Sequence, residues 1–186
     1  MVYDKTIDGS KIQLRSVALC DCNARYLGWM MDEETNRYME TRWTEQTMGT
    51  IQSFVNSIRA SSDSWLFAII YQGQHVGNIK IGPINKRYKN ADISYFTGDK
   101  SLRGKGVASE AIGLVLEFGF KVLNLHRIQA GAFKDNVASQ RALLKNGFRL
   151  EGTFREKYFL TSDSEWTDCL EFAILKNEWE AFHGTK

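Results

Sequence analysis

Apolar residues recur with two different periods along this chain, and the two periods predict strands and helices. Residues 12–17 alternate between apolar and polar, which is the pattern of a half-buried strand. The predicted elements of the first half are this strand, helices between residues 21 and 61 with a break around Trp43 and Thr44, and strands at residues 65–71 and 75–84. Pro83 has no amide hydrogen, so we expect it to end strand pairing or to lie at a bulge.

The second half of the chain alternates strands and helices. The predicted elements are a strand at residues 91–97, a helix at 104–123, a strand at 127–132, a helix at 136–146, and strands at 148–160 and 166–175 joined by a polar turn at 161–165. Asp135 or Asn136 can cap the second helix, and Gly147 is placed to end it. Together the elements predict one domain over residues 1–186, an α/β (α+β) sandwich with a mixed, mostly antiparallel central sheet of about seven strands flanked by helices.

The composition is that of a soluble globular domain, and it narrows the range of partners. Of the 186 residues, 43% are hydrophobic and 25% are charged, and the net charge is +2. This balance gives no reason to expect nucleic acid or a membrane surface, and the longest apolar run, residues 65–71, is too short to cross a bilayer. Cys20, Cys22 and Cys169 fit a reducing compartment, and the histidines lack metal-ligand spacing. We therefore expect a cytoplasmic protein without a metal site.

Residues 103–108 (RGKGVA) lie between a predicted strand and a predicted helix. Backbone amides at such a junction lack partners and are backed by the positive end of the helix dipole, so the segment is suited to bind a pyrophosphate. The phosphate loop of nucleotide hydrolases does not fit, because Gly98 is one residue too far upstream and Gly106 replaces the hydroxyl residue. The dinucleotide fingerprint does not fit either, because Ser109 replaces its third glycine.

Two motifs in order resemble one protein family. Arg103, Gly106 and Ala108 form the pattern Arg-x-x-Gly-x-Ala, and residues 136–148 (NVASQRALLKNGF) read Asn-x-x-Ser followed by Gly-Phe. Together they resemble the GNAT superfamily of acetyl-CoA-dependent N-acetyltransferases. Residues 150–152 (LEG) are similar to the branch that contains the ribosomal-protein alanine N-acetyltransferases, the RimJ/RimL type. The resemblance spans most of the chain.

The resemblance implies that acetyl-CoA is the co-substrate, and it implies a site for it. The backbone of the strand would pair with the pantetheine arm, the loop would hold the pyrophosphate, and the following helix would lie near the thioester. The residues expected to bind the cofactor are Tyr95, Phe96, Thr97, Arg103, Gly104, Lys105, Gly106, Val107, Ala108, Asn136 and Ser139. The amide of Phe96 or Thr97 is the expected donor to the oxyanion.

Three side chains are candidates for proton transfer. Asp92 occupies a strand position where relatives often carry Glu, so it is the first candidate for the base that deprotonates the amine. Many relatives place a Tyr one turn beyond the Ser position as general acid, and this chain has Leu143 there. The RimJ/RimL branch, which this chain resembles, also lacks that Tyr and uses the Ser. Ser139 is therefore expected to donate a proton or a hydrogen bond to the leaving thiolate of coenzyme A. Tyr158 is a second candidate acid, or a wall of the acceptor pocket.

The acceptor side is less determined by the sequence. The resemblance places it at residues 29–43 and 161–165. The first segment carries acidic groups that suit a cationic amine, and Arg42, which suits a phosphate or carboxylate; an exposed acidic face with aromatic side chains turned into the core fits equally well.

The expected function is transfer of an acetyl group from acetyl-CoA to a primary amine by direct attack in a ternary complex. The amine acceptor is expected to be a protein N-terminus or a small molecule such as an amino sugar or a polyamine. The alternative is a non-catalytic coenzyme A-binding module with the same fold, and formation of a homodimer stays open.

Overall fold

The computed structural model describes residues 1–160 and 165–184. Its strands are β1 (Ile7–Asp8), β2 (Ile12–Ser16), β3 (Trp65–Tyr71), β4 (Gln74–Asn85), β5 (Asn90–Thr97), β6 (Arg127–Phe133), β7 (Arg149–Leu160) and β8 (Glu165–Leu175). Its helices are α1 (Ala24–Met31), α2 (Glu33–Asn36), α3 (Met48–Ala60), α4 (Val107–Glu117), α5 (Val137–Lys145) and α6 (Lys176–Gly184). Short 3-10 turns cover Leu19–Asp21, Glu40–Trp43 and Lys100–Leu102, and a π-helical turn at Phe118–Val122 continues α4.

The eight strands of the described residues form one sheet, in the order β1-β2-β3-β4-β5-β6-β8-β7. Neighbouring strands are antiparallel except β5 and β6, which are parallel and are connected through α4. This arrangement confirms the predicted mixed, mostly antiparallel α/β sandwich. The additional strand is β1, whose two residues are too few to show an alternating pattern.

β5 and β6 part after a short ladder. Residues 90–92 of β5 pair with residues 127–129 of β6. β5 then continues to Thr97 and β6 to Phe133 without further pairing between them. The sheet therefore contains a wedge-shaped gap, and the backbone groups on its two edges are open to a ligand that adds as a strand.

Apolar clusters hold helices on both faces of the sheet. On one face α4 buries five side chains almost completely, namely Val107, Ala111, Ile112, Val115 and Leu116. On the other face α1 and α3 pack against β3 through a second cluster, which includes Trp29, Met30, Ile51, Val55, Leu66 and Ala68. Gly98, just after β5, lies so close to the indole of Trp29 that an added Cβ would overlap the ring. This contact holds α1 at the end of β5, beside the gap.

Backbone conformation explains where the helix after the loop begins. The sequence predicted a helix from residue 104, whereas α4 begins at Val107. Gly104 and Gly106 have φ values of +75° and +84°, which a right-handed helix excludes. The glycines therefore delay the helix and shape the loop that precedes it.

Other sequence predictions have mixed outcomes. The β4–β5 register shifts between Ile81 and Ile84, so Pro83 lies at a bulge, as expected. Asn136 is the residue that caps α5. α6 was not predicted, and its Trp179 packs against Phe120 with ring centroids 5.4 Å apart. Of the predicted turn at 161–165, residues 161–164 lie outside the described residues.

Two further observations concern the described residues only. None of their helices is both long and apolar enough to span a bilayer. No three or more of their His, Cys, Asp and Glu side chains are grouped as a metal site.

Candidate active site

The loop before α4 presents unpaired backbone amides. An added Cβ at Gly104 or Gly106 would meet no atom within 4 Å, so the left-handed backbone rather than lack of space requires glycine there. The amides of Gly106, Val107 and Ala108 have no hydrogen-bond acceptor among the described residues. They form the N-terminus of α4, where the helix dipole adds positive potential. The loop is therefore an anion site built from main-chain atoms.

This loop and α5 form the walls of a cavity of about 690 Å³, called the loop cavity below. The residues predicted to bind the cofactor that line it are Tyr95, Phe96, Thr97, Arg103, Gly104, Gly106, Val107, Ala108, Asn136 and Ser139. Lys105 is exposed and does not line it. Arg141 and Lys145, one turn apart on α5, also line the loop cavity, and the sequence analysis did not single them out. Their cationic ends add to the attraction for an anion.

The side chain of Arg103 is held by acidic residues at α2. Arg103 donates a hydrogen bond to Glu34, and Lys100 Nζ lies 2.8 Å from a carboxylate oxygen of both Asp32 and Glu34. The hydrogen bond from Lys100 lowers the pKa of Asp32 to about 2. These groups are largely exposed, so the pairs add little stability. They do attach the α2 segment to the loop.

A second cavity, of about 620 Å³, lies between the sheet and helices α1 and α3 and is called the apolar cavity below. Its apolar lining includes Met30, Met39, Ile51, Phe54, Leu66 and Phe133. The two cavities meet beside the gap between β5 and β6, because six residues line both: Tyr38, Met39, Tyr95, Phe96, Asn136 and Ser139. We call this shared region the junction.

Tyr95 and Ser139 form a hydrogen-bonded pair at the junction. The hydroxyl oxygens of the two residues lie 2.8 Å apart. Burial raises the pKa of Tyr95 to about 12, so its phenol keeps the proton at neutral pH. Asn136 Oδ1 accepts a hydrogen bond of 3.1 Å from the Ser139 amide, which fixes the first turn of α5. The sequence analysis assigned only the backbone of Tyr95; the alternation of β5, which turns Tyr95 towards α5, was the available signal for its side chain.

The structure separates the three predicted catalytic side chains. Only Ser139 of the three lies at the junction. Asp92 is exposed, lines neither cavity, and accepts a hydrogen bond of 3.1 Å from Gln129. Tyr158 lines the apolar cavity, where its ring stacks on Phe133 with centroids 4.5 Å apart and burial raises its pKa.

The residues of segment 29–43, predicted to bind the acceptor, have different positions in the structure. Trp29 is buried in the core, whereas Tyr38, Met39 and Glu40 line the apolar cavity. The Arg42 side chain is only 7% exposed and donates hydrogen bonds to the carbonyl oxygens of Met39 and Phe159. Arg42 therefore ties this segment to β7.

The sequence profile of the acetyltransferase (GNAT) domain matches residues 11–149. The chain belongs to the GNAT acetyltransferase family. Among its relatives, YoaA of Bacillus subtilis (strain 168), named an uncharacterized N-acetyltransferase, is 32% identical over 175 residues, which cover 91% of this chain and 96% of YoaA. The ribosomal-protein-serine acetyltransferase of Escherichia coli (strain K12) is 29% identical over 116 residues, which cover 62% of this chain and 64% of that protein.

A solved structure shows the same fold. It is the spermidine N-acetyltransferase from Vibrio cholerae in complex with CoA and spermine, with a TM-score of 0.81 and 20% identity, covering 92% of this chain and 99% of that one. The GNAT family uses acetyl-CoA, so the predicted enzyme class and co-substrate are confirmed. Family membership thus favours the enzyme over the non-catalytic module.

One position of this GNAT enzyme bears on its choice of acid. Leu143, where the family resemblance led us to expect a tyrosine as general acid, is 0% exposed on the buried side of α5. Its apolar side chain supplies no proton. Within the described residues, the Tyr95–Ser139 pair is the hydroxyl pair located at the junction.

Proposed function

We propose that this enzyme transfers the acetyl group of acetyl-CoA to a primary amine by direct attack within a ternary complex. The observation that supports this most is the junction, where two cavities of different chemistry meet at the splayed strands. The loop cavity would hold the coenzyme and the apolar cavity the amine. A nucleophile in one cavity then faces the thioester at the end of the other.

The coenzyme is positioned mainly by backbone groups. Its pyrophosphate would accept hydrogen bonds from the amides of Gly106, Val107 and Ala108 at the start of α4. Its pantetheine arm would lie in the gap and pair with the open edge of β5 at residues 95–97. Arg141 and Lys145 supply positive charge for the phosphates.

The chemistry at the junction needs an oxyanion donor and a donor to the thiolate. The neutral amine attacks the carbonyl carbon, and the amide of Phe96 or Thr97 would stabilise the oxyanion. When the intermediate collapses, the C–S bond breaks and the sulfur leaves as a thiolate. The Tyr95 hydroxyl would donate a hydrogen bond to Ser139 Oγ, so that the Ser139 hydroxyl hydrogen is free to be donated to the departing sulfur.

The general base stays a prediction. Asp92 lies on the same face of β5 as Ser94 and Phe96, and both of these line the apolar cavity. Because Asp92 itself lines neither cavity, a proton from the amine would reach it only through water along this face. Tyr158, in the wall of the apolar cavity, is the alternative for proton transfer on the acceptor side.

The acceptor is a primary amine, and the names of the relatives point to more than one chemical class of amine. One relative is named for a ribosomal protein and a structural neighbour for spermidine, so both a protein N-terminus and a polyamine belong in any substrate panel. Amino sugars and amino acids complete it, since each offers one primary amine on a different body.

The experiment that tests the proposal measures coenzyme binding and turnover separately. Calorimetry should show CoA binding without an acceptor, and thiol release from acetyl-CoA should depend on an added amine from the panel. Initial rates with both substrates varied should give intersecting lines, because a ternary complex forms; parallel lines would indicate an acetyl-enzyme instead. Tight CoA binding with no turnover of any amine would contradict catalysis, and absence of CoA binding would contradict the whole site.

A further inference from the structure

Two polar side chains of β4 face the apolar cavity without a partner for their hydrogen-bond donors. Asn78 and Lys80 are two residues apart, so they lie on the same face of the strand, and both line the cavity. In the sheet Asn78 is opposite Phe96, a junction residue, and Lys80 is opposite Ser94. Asn78 is therefore the nearer of the two to the junction, and Lys80 lies farther along the cavity wall.

Asn78 carries a buried donor without an acceptor. The residue is 2% exposed, and its Oδ1 lies 2.8 Å from His75 Nε2. A carbonyl oxygen only accepts, so His75 Nε2 carries the hydrogen of this bond. Asn78 Nδ2 is buried, and no acceptor among the described residues meets hydrogen-bond geometry with it, although the Asn78 side chain also interacts with the Tyr26 phenol. A buried amide donor without a partner is costly, and a ligand atom in the cavity that accepts from it would remove the cost.

Lys80 carries a positive charge without a paired carboxylate. It is half-buried, and no carboxylate among the described residues lies within 4 Å of its Nζ. Asp63 interacts with it electrostatically from farther away, and the hydroxyls of Ser61 and Ser64 already donate to that carboxylate. Asp63 also does not line the cavity. An unpaired cation beside an amide donor matches an anionic group on the ligand.

The rest of the apolar cavity restricts the body of the ligand. Met30, Ile51, Phe54, Leu66 and Phe133 contribute apolar surface, and Thr41, Thr44, Gln46, Thr50 and Ser94 add uncharged polar groups. Glu40 is the acidic residue among the described lining residues, and its side chain is 67% exposed. A polyamine carries several positive charges and needs several carboxylates, so this lining suits it poorly.

We propose that the acceptor is a primary amine that also carries a carboxylate and an apolar body, the chemistry of an apolar α-amino acid. Its carboxylate would lie between Lys80 Nζ and Asn78 Nδ2, its side chain among the methionine and phenylalanine residues, and its amine towards Tyr95 and Ser139. This inference rests on the proposed function. A peptide N-terminus lacks a carboxylate near its amine and would leave both donors unpaired.

The test compares acetylated products, because they have no titratable amine and differ in the carboxylate alone. N-acetylleucine and N-acetylleucinamide are titrated into the CoA complex of the enzyme by calorimetry, together with the corresponding methionine and phenylalanine pairs. We expect the best acid to bind at least about tenfold more tightly than its amide, since a charge-assisted contact is lost. Lys80→Met should reduce this ratio to below about threefold, because acid binding falls more than amide binding.

The controls separate this inference from the proposed function. Lys86→Met removes an exposed lysine that also interacts with Asp63 but does not line the cavity, so the acid-to-amide ratio should stay as in the wild type. Asn78→Asp keeps an oxygen for His75 and places a negative charge near the carboxylate, so acid binding should fall further than amide binding. If the amides or N-acetylspermidine bind as tightly as the acids, or if no acid binds, the inference is wrong. CoA binding without acceptor tests the proposed function independently.

Discussion

The loop cavity and the apolar cavity offer different kinds of chemical groups to a ligand. The loop cavity offers main-chain amides of residues 106–108, held by two glycines with left-handed backbones. The apolar cavity offers side chains from α1, α3, β4 and β6. A main-chain site keeps its chemistry when most side chains change, whereas a side-chain site changes its ligand with each substitution. The contrast explains how one fold can keep a coenzyme and vary the acceptor.

The largest expected effect is on CoA affinity, at the main-chain amides of the loop cavity. Gly106→Val forces a β-branched residue into φ of +84°, which costs about 1–3 kcal/mol or shifts the amides, so CoA affinity should fall by about 100-fold. Gly152→Val is the matched control, since that glycine has space around it and no positive φ. Calorimetry with CoA measures both variants. Wild-type affinity in Gly106→Val would show that the loop does not bind the pyrophosphate.

At the junction, the Ser139 side chain should affect kcat rather than the binding of acetyl-CoA. Ser139→Ala removes the proposed donor to the thiolate, so kcat should fall by about 30-fold while the KM for acetyl-CoA changes less than twofold. Ser57→Ala, on the exposed face of α3, is the control. A rise in KM with an unchanged kcat would make Ser139 a binding residue.

A smaller effect, on the KM for acetyl-CoA, is expected from the two cationic residues of α5 that line the loop cavity. The double variant Arg141→Ala/Lys145→Ala removes two cations that line the loop cavity, the proposed site of the phosphates, so the KM for acetyl-CoA should rise by about tenfold and depend less on salt. Lys86→Ala/Arg87→Ala removes the same charge from an exposed turn between β4 and β5. Equal changes in the two double variants would indicate a general electrostatic effect.

The smallest effect is expected at Asp92. Its carboxylate is exposed and lies outside both cavities, so Asp92→Asn should change kcat/KM by less than about threefold at neutral pH. A pH–rate profile decides the matter. An acidic limb that flattens in the variant would identify Asp92 as the base, acting through water.

The same contrast governs what could be predicted from the sequence. The loop was predictable because Gly104 and Gly106 encode a backbone conformation locally, and Asn136 encodes its cap in the same way. The period of apolar residues likewise predicted the order of strands and helices. α6 was missed because its contacts, such as Trp179 on Phe120, come from distant parts of the chain.

The acceptor side was less predictable because it depends on strand register. Asn78 and Lys80 carry no motif, and they reach the cavity only because β4 pairs with β5 in a particular register. The same holds for Tyr95, whose hydroxyl meets Ser139 across 44 positions of sequence. Arg42 illustrates the converse, since its charge suggested a ligand contact and the fold uses it to bind two carbonyl oxygens.

The contact between Gly98 and Trp29 sets a limit on any attempt to redesign this enzyme. A side chain at position 98 would overlap the indole and displace α1 from the end of β5. A mutant library for new amines can vary Met30 or Phe54 in the cavity wall, but position 98 has to stay glycine as long as the indole is kept. Screening effort is then best concentrated on the wall, with this pair held constant.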